Sequence, residues 1–284
     1  MKPAEKIAIL RLFRTQNIGP MILTTLLRRF KSGTSIIEHL PELGKRSKIS
    51  LRLHSQAQAE DEIANVNKYG GQIIVRGEAG YPDILNFIDN APGCLTCLGH
   101  PHIIQKNMLS IVGSRNASLN ALNLTRILAH EIGSARFNIV SGMAQGIDAA
   151  GHEGSLDTGS IAVMAGGIDQ VYPKENAKLY ESLKHEGLIL SEMPFACSLS
   201  PSIFPIRNRI IASLGAGLLV VEANLKSRSL ITAREADNRG RDVMAIPGSQ
   251  LDPRSKGCNK LLREGAILVE HAGDVIDVIK PFSE

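Results

Sequence analysis

The sequence predicts a doubly wound α/β fold, a parallel sheet covered on both faces, with a small helical domain in front of it. Three observations carry that expectation. Short, continuously apolar runs recur from Leu109 onward with helix-like stretches between them, and strands of that kind belong to parallel sheets buried on both sides. Glycines punctuate the passages from strand to helix, at Gly113, Gly142, Gly146, Gly166 and Gly167. From Lys6 to about Leu53, by contrast, apolar positions fall at helical spacing with little strand alternation.

In chain order, Ile7, Leu10, Leu12 and Phe13, then Ile22, Leu23, Leu26, Leu27 and Phe30, mark two helices broken at Asn17-Ile18-Gly19-Pro20. Glycine can adopt positive φ in such a break, and proline suits the first turn of the next helix. A helical domain over residues 1–68 follows. Its Ile-Gly-Pro turn is similar to a helix-hairpin-helix element, whose amides can meet nucleic-acid phosphates; an ordinary helix break without a ligand fits the same residues. A polar helix at 56–69 and a strand at 72–76 lead into a stretch holding Gly77, Gly80, Pro82, Pro92, Gly93, Gly99 and Pro101, read as the seam between lobes. The second domain covers 69–284, with strands expected at 109–112, 137–140, 161–164, 188–190, 218–221, 243–246 and 267–269. Ligands of such a sheet sit at the carboxyl ends of the strands.

Composition narrows the function classes. With 43% hydrophobic and 21% charged residues over 284 positions, the chain reads as globular and able to bury a substantial core. It has no apolar run long enough for a membrane helix, and Met1 to Lys6 form no signal-peptide core, so a cytoplasmic location without membrane contact is expected. Cys94, Cys97, Cys197 and Cys258 suggest reduced thiols rather than a disulfide frame. The net charge of +4 is uneven: residues 1–75 hold 12 Lys/Arg against 6 Asp/Glu, and the remainder 20 against 22. An anion site in the large domain therefore requires a local convergence of cations.

The turns supply candidates. Gly113-Ser114-Arg115 follows the first strand where a dinucleotide fold would carry Gly-x-Gly-x-x-Gly, which disfavours NAD. Arg115 presents a charged fork suited to phosphate, or to a salt bridge with a neighbouring loop. Ser141-Gly142-Met143-Ala144-Gln145-Gly146-Ile147-Asp148 forms a second amide-lined turn before a helix, and the missing Gly-Lys-Ser/Thr ending disfavours an ATPase. Asp148 suits a helix cap better than a catalytic acid, and His152 could pair with it without completing a catalytic set. Tyr172-Pro173-Lys174 presents a lysine at the same sheet edge. Phe204-Pro205-Ile206-Arg207-Asn208-Arg209 places an aromatic beside two cations just before a helix at 210–214, a combination that can stack bases and pair phosphates. Arg209 equally suits burial against a carboxylate such as Glu192 or Glu222. Cys94 and Cys97 with His100 and His102 lack zinc-finger spacing, so neither a metal nor another cofactor is expected.

These motifs, with Ser191-Glu192, Val221-Glu222-Ala223, Ser229-Leu230-Ile231-Thr232-Ala233, Gly240-Arg241 and Pro247-Gly248-Ser249, stand in the order seen in the DNA-processing protein A family (DprA, also called Smf), which the chain resembles over residues 70–275 or so. The resemblance implies an extended Rossmann-like domain behind a SAM-like or helix-hairpin-helix unit. It also implies a non-catalytic protein that binds single-stranded DNA, protects it during natural transformation, and helps load RecA recombinase past single-strand-binding protein. Homodimers form through the Rossmann-like domain in that family. By the same resemblance, DNA contacts fall on Arg115, Lys174, Arg207 and Arg209, with Gly113, Ser114, Ser141, Gly142, Gly146, Phe204 and Asn208 around them. A mononucleotide hydrolase with Asp148 or Glu222 as base is the rival reading. Two departures stand out: Arg228 occupies a position that is usually glycine, where it would crowd the loop or add a phosphate contact, and no winged-helix region of the kind many members append is expected before Glu284.

Overall fold

Four helices open the chain in a computed structural model that describes residues 1–47, 51–105 and 107–280; the final four residues of the expected second domain, 281–284, lie outside the described residues. They are α1 (Pro3–Arg14), α2 (Pro20–Phe30), α3 (Gly33–Ser47) and α4 (Gln56–Lys68). Pro20 takes the first position of α2. Gly19 does not use positive φ, however: it lies at −75°, and the left-handed residue of the break is Asn17 at φ 69°. Asparagine is among the residues that enter that region most readily. Helix α4 starts with a capping box in which Ser55 Oγ accepts the Gln58 amide and the Gln58 side chain accepts the Ser55 amide, each at 3.1 Å.

The remaining elements are β1 (Gln72–Val75), α5 (Asp83–Asn86), β2 (Cys94–Gly99), β3 (Met108–Gly113), α6 (Leu119–Ser134), β4 (Asn138–Ser141), α7 (Ile147–Ser155), β5 (Ser160–Met164), α8 (Ala177–Glu186), β6 (Leu188–Ser191), α9 (Ile203–Leu214), β7 (Gly217–Val221), α10 (Ser229–Asp237), β8 (Asp242–Ala245), α11 (Lys256–Arg263), β9 (Ile267–Leu268) and α12 (Ala272–Ile279). They build one nine-stranded sheet ordered β1-β2-β6-β5-β4-β3-β7-β8-β9. From β6 through β9 every neighbouring pair is parallel, and β1 and β2 add an antiparallel edge.

Two expectations need correction. The glycine- and proline-rich stretch read as a seam contains β2, which joins β1 (Val75↔Cys94) and β6 (Thr96↔Ser191) into the same sheet. Its first five residues are all buried, but Pro92, Gly93, Gly99 and Pro101 bracket this apolar run and read as loop. Burial also pushes the Cys94 and Cys97 thiols up to about 12. Helix α9 begins at Ile203 rather than 210, so Phe204 to Arg209 occupy its first two turns. Pro205 is tolerated there because the first turn of a helix has no use for its missing N–H.

Apolar clusters cover both faces of the sheet. Leu109, Ile111, Leu219 and Val221 meet α6 and α12 on one face; Val112, Val140, Val163 and Val220 meet α9 and α10 on the other. The helical unit shares its core with the sheet edge, since Ile9, Leu10, Leu12 and Leu23 cluster with Ile73, Val75 and Cys94. Strand order reverses at β3, whose crossover leads to β4 on one side while β7 lies on the other. The carboxyl ends of β3 and β7 thus form the topological switch point, where ligands of open α/β sheets bind. No helix among the described residues is long and apolar enough to cross a membrane.

Candidate nucleic-acid interface

The turn after β3 and the turn after β4 are locked together by backbone. The Ile147 amide donates to the Ser114 carbonyl at 3.1 Å, and the Ser114 amide to the Val221 carbonyl at 3.4 Å. Gly146 must be glycine here: its φ is 79°, and a Cβ would run into the backbone carbonyls of Ser114 and Arg115. At Gly142 the constraint comes from side chains, because a Cβ there would strike the Arg207 guanidinium and the Asp148 carboxylate. Met143 beside it takes φ 62°. These turns hold Arg115 exposed at the mouth of the switch point.

Two small adjoining clefts lie at this mouth. Arg115, Phe204, Arg207 and Ala144 line both; Gly142 and Tyr172 line the first, and Gly113, Asp148, Asn208 and Arg228 the second. Phe204 is the hub. The guanidinium carbons of Arg115 and Arg228 each lie 5.7 Å from its ring centroid, and Tyr172 meets it edge-on at 6.0 Å. An arginine against an aromatic face is worth roughly 0.5–1 kcal/mol at an exposed site.

Arg207 sits beneath this rim at 6% exposure. Its Nη1 donates to the Gly142 carbonyl and, at 2.9 Å, to the Val163 carbonyl, while its Nε donates to Asn208 Oδ1 at 3.1 Å. Its Nη2 has no acceptor among the described residues. Burial, with some help from Arg115, lowers its pKa to about 10 against the pull of Asp148. Asp148 accepts the Ala144 amide at 3.4 Å, and burial raises its carboxyl above the ordinary range despite Arg207. His152 does not pair with Asp148; its Nδ1 bonds Ser160 Oγ at 2.8 Å.

The other expected residues divide. Lys174 is exposed in a short 3₁₀ turn, Lys174–Asn176, that Asn176 Nδ2 pins to the Met143 carbonyl at 2.9 Å. Ser141 Oγ donates to the Ile111 carbonyl at 2.6 Å and faces the sheet. Arg209 turns away from the clefts: it forms a buried ion pair with Glu192 and donates to the Asn90 carbonyl. Glu222 accepts the Ser118 amide at 2.8 Å and its hydroxyl at 2.5 Å, closing the N-terminus of α6. The sequence left Tyr172 outside the expected site and left open whether Arg228 crowds its loop or contacts phosphate. The signals were present, as an aromatic directly before the Pro-Lys turn and an arginine directly before a helix that follows a switch-point strand.

Comparison with known proteins adds the following. Residues 72–280 match the family model of DNA recombination-mediator protein A, and residues 3–65 that of a DprA-like N-terminal HHH domain. Protein Smf of Escherichia coli is 38% identical over 200 residues, which are 69% of this chain and 54% of that protein, so the match spans about half of it. DNA processing protein DprA of Streptococcus pneumoniae is 40% identical over 198 residues, 69% of this chain and 70% of that one. The X-ray structure of Streptococcus pneumoniae DprA superposes with a TM-score of 0.72 at 32% identity, covering 86% of this chain and 93% of its own. A Helicobacter pylori DprA structure, described for its single-stranded DNA binding mode, gives 0.67 at 26% identity over 73% and 94%.

Proposed function

The chain belongs to the DNA recombination-mediator protein A family, and from that premise we propose that it binds single-stranded DNA across the carboxyl ends of β3, β4, β5 and β7 and hands it to a recombinase of the RecA class. The observation that carries the reading is the gathering of Arg115, Arg207 and Arg228 with Phe204 around one pair of clefts, with Lys174 in the flanking turn. Aromatic faces accept any base and guanidinium groups accept any phosphate, so affinity depends on backbone charge and sequence preference is slight. The protein acts without catalysis, in the cytoplasm, as a homodimer, and protects the strand in competition with single-strand-binding protein.

Expected outcomes are specific. Arg115→Ala and Lys174→Ala each weaken oligonucleotide binding and flatten the dependence of log affinity on log salt by about 0.7–1. Titration of a labelled single strand at several salt concentrations measures both, and unchanged slopes in both variants would remove these residues from the site. The rival hydrolase draws on Asp148, a cleft-lining carboxyl whose pKa burial raises. Nucleoside monophosphates incubated with the protein decide that reading, since release of base or phosphate requires turnover.

A further inference from the structure

Arg228 lines the second cleft and has no assigned part in holding the fold. It is exposed, it precedes α10 without capping it by a side-chain hydrogen bond, and its guanidinium bonds nothing among the described residues. The Phe204 ring centroid lies 5.7 Å from its guanidinium carbon, the same distance at which Arg115 approaches that ring. The two guanidinium carbons are therefore within twice that distance of each other. Neither arginine has a carboxylate within 4 Å among the described residues, whereas Arg14, Arg126, Arg209, Arg239 and Arg254 are each paired.

Two guanidinium groups on one aromatic ring, neither held by a carboxylate within 4 Å among the described residues, leave N–H donors that one anionic chain can meet together. A third donor points the same way: Arg207, 6% exposed, lines this cleft with Nη2 lacking an acceptor among the described residues. Topology explains the meeting. Arg115 follows β3 and Arg228 follows β7, the adjacent strands of the switch point, and Phe204 arrives on the helix that crosses from β6 to β7.

We propose that Arg228 is a phosphate-binding residue, and that Arg115 and Arg228 form a two-cation clamp on Phe204 that grips neighbouring phosphates of one single strand. The clamp rests on the single-strand reading above and adds to it a residue and a division of labour. Phe204 holds the two guanidinium groups through their contacts with its ring, and their outer N–H edges track the phosphate backbone. Arginine rather than lysine suits Arg228, because its planar fork stacks on the ring while its N–H edge meets phosphate oxygens.

The test uses the full chain and a fluorescent thymidine oligonucleotide, titrated from roughly 50 to 200 mM salt. Wild type, Arg228→Gln, Arg228→Lys, Arg115→Ala and the Arg115→Ala/Arg228→Gln double variant are compared. Since Arg228 is exposed and its contact with Phe204 is worth at most about 1 kcal/mol, its variants stay folded at the assay temperature, which thermal melting checks. Arg228→Gln is expected to flatten the salt slope by about 0.7, the double variant by about twice that, and Arg228→Lys to keep the slope with reduced affinity. A wild type that binds, with an unchanged slope in Arg228→Gln, overturns the clamp and leaves the single-strand reading standing. A wild type that binds no oligonucleotide at the lowest salt overturns both.

Discussion

Arg207 and Arg209 stand two positions apart on α9, and their surroundings separate them completely. Arg209 is neutralised by Glu192 and tied to the Asn90 carbonyl, so its removal would strand a buried carboxylate. Arg207 is held by carbonyls and Asn208, and its charge faces a cleft. His152 illustrates a third outcome of burial. Fully enclosed and bonded to Ser160, with Nε2 unpartnered, it is pushed down from 6.5 to about 3, mainly by desolvation. Between those values the unfolded chain binds a proton that the folded chain refuses, so His152 contributes stability that is present above about pH 6.5 and lost as pH falls toward 3. At pH 4.5 the loss amounts to about 3 kcal/mol. Asp148 and Glu192, whose pKa values burial raises, act with the opposite sign in acid. The measurement is therefore a difference: urea unfolding of wild type and His152→Gln at pH 7.5 and 4.5. The stability gap between the two proteins should shift toward the variant by that amount at the lower pH, and a pH-independent gap would sink the assignment.

At the scale of elements, the turn from β4 to α7 depends on glycine at one position. Gly146 holds φ 79° against the Ser114 and Arg115 carbonyls, whereas Gly19 lies at φ −75° with open space where a Cβ would go. Gly146→Ala should therefore cost more than about 1 kcal/mol and, by displacing the Arg115 backbone, weaken oligonucleotide binding further than stability alone explains. Gly19→Ala meets no strain, but Gly19 is the N-cap of α2, where alanine is disfavoured; the gain through the unfolded chain offsets that loss, and the net change should stay within about 1 kcal/mol. Equal losses in urea unfolding of the two variants would refute the strain argument. The same elements show what was legible beforehand. Strands β3 to β7 could be read from apolar runs because burial on both faces leaves few polar residues in them, and the glycine turns marked several carboxyl ends; β8 and β9, more exposed, were legible only as short apolar runs. Strand β2 was hidden because its apolar run lies inside proline- and glycine-rich flanks, and only its antiparallel partners β1 and β6, distant in sequence, make it a strand. The start of α9 was missed because Pro205 looks like a breaker until it is placed in a first turn. Convergence of Arg115 and Arg228 on Phe204 could not be read at all, since it depends on the order of strands rather than on spacing along the chain.

For the whole molecule, the question is whether the helical unit and the sheet fold as one. Composition separates them, because the first 75 residues are basic and the remainder is not. Packing joins them. Ile9, Leu10 and Leu12 share a cluster with Ile73, Val75 and Cys94, so detaching the helices would expose apolar surface on both sides. Arg14, only 7% exposed, pairs with Glu62 at 2.7 Å and donates to the Glu192 carbonyl at 2.9 Å, and Glu192 in turn holds Arg209 on the helix that carries Phe204 and Arg207. A chain of buried polar contacts thus runs from α1 through Glu192 to α9. Chains of this length often unfold domain by domain, but here one cooperative transition is expected. Hydrogen exchange across a urea series would follow peptides from residues 3–65 and 108–280 separately, and the two sets should lose protection at the same midpoint. Arg14→Ala, which leaves Glu62 buried without its partner, should lower that shared midpoint, with a loss of about 3–5 kcal/mol. Protection lost first from the helices alone, in either protein, would show that the apolar seam is too weak to couple the two parts.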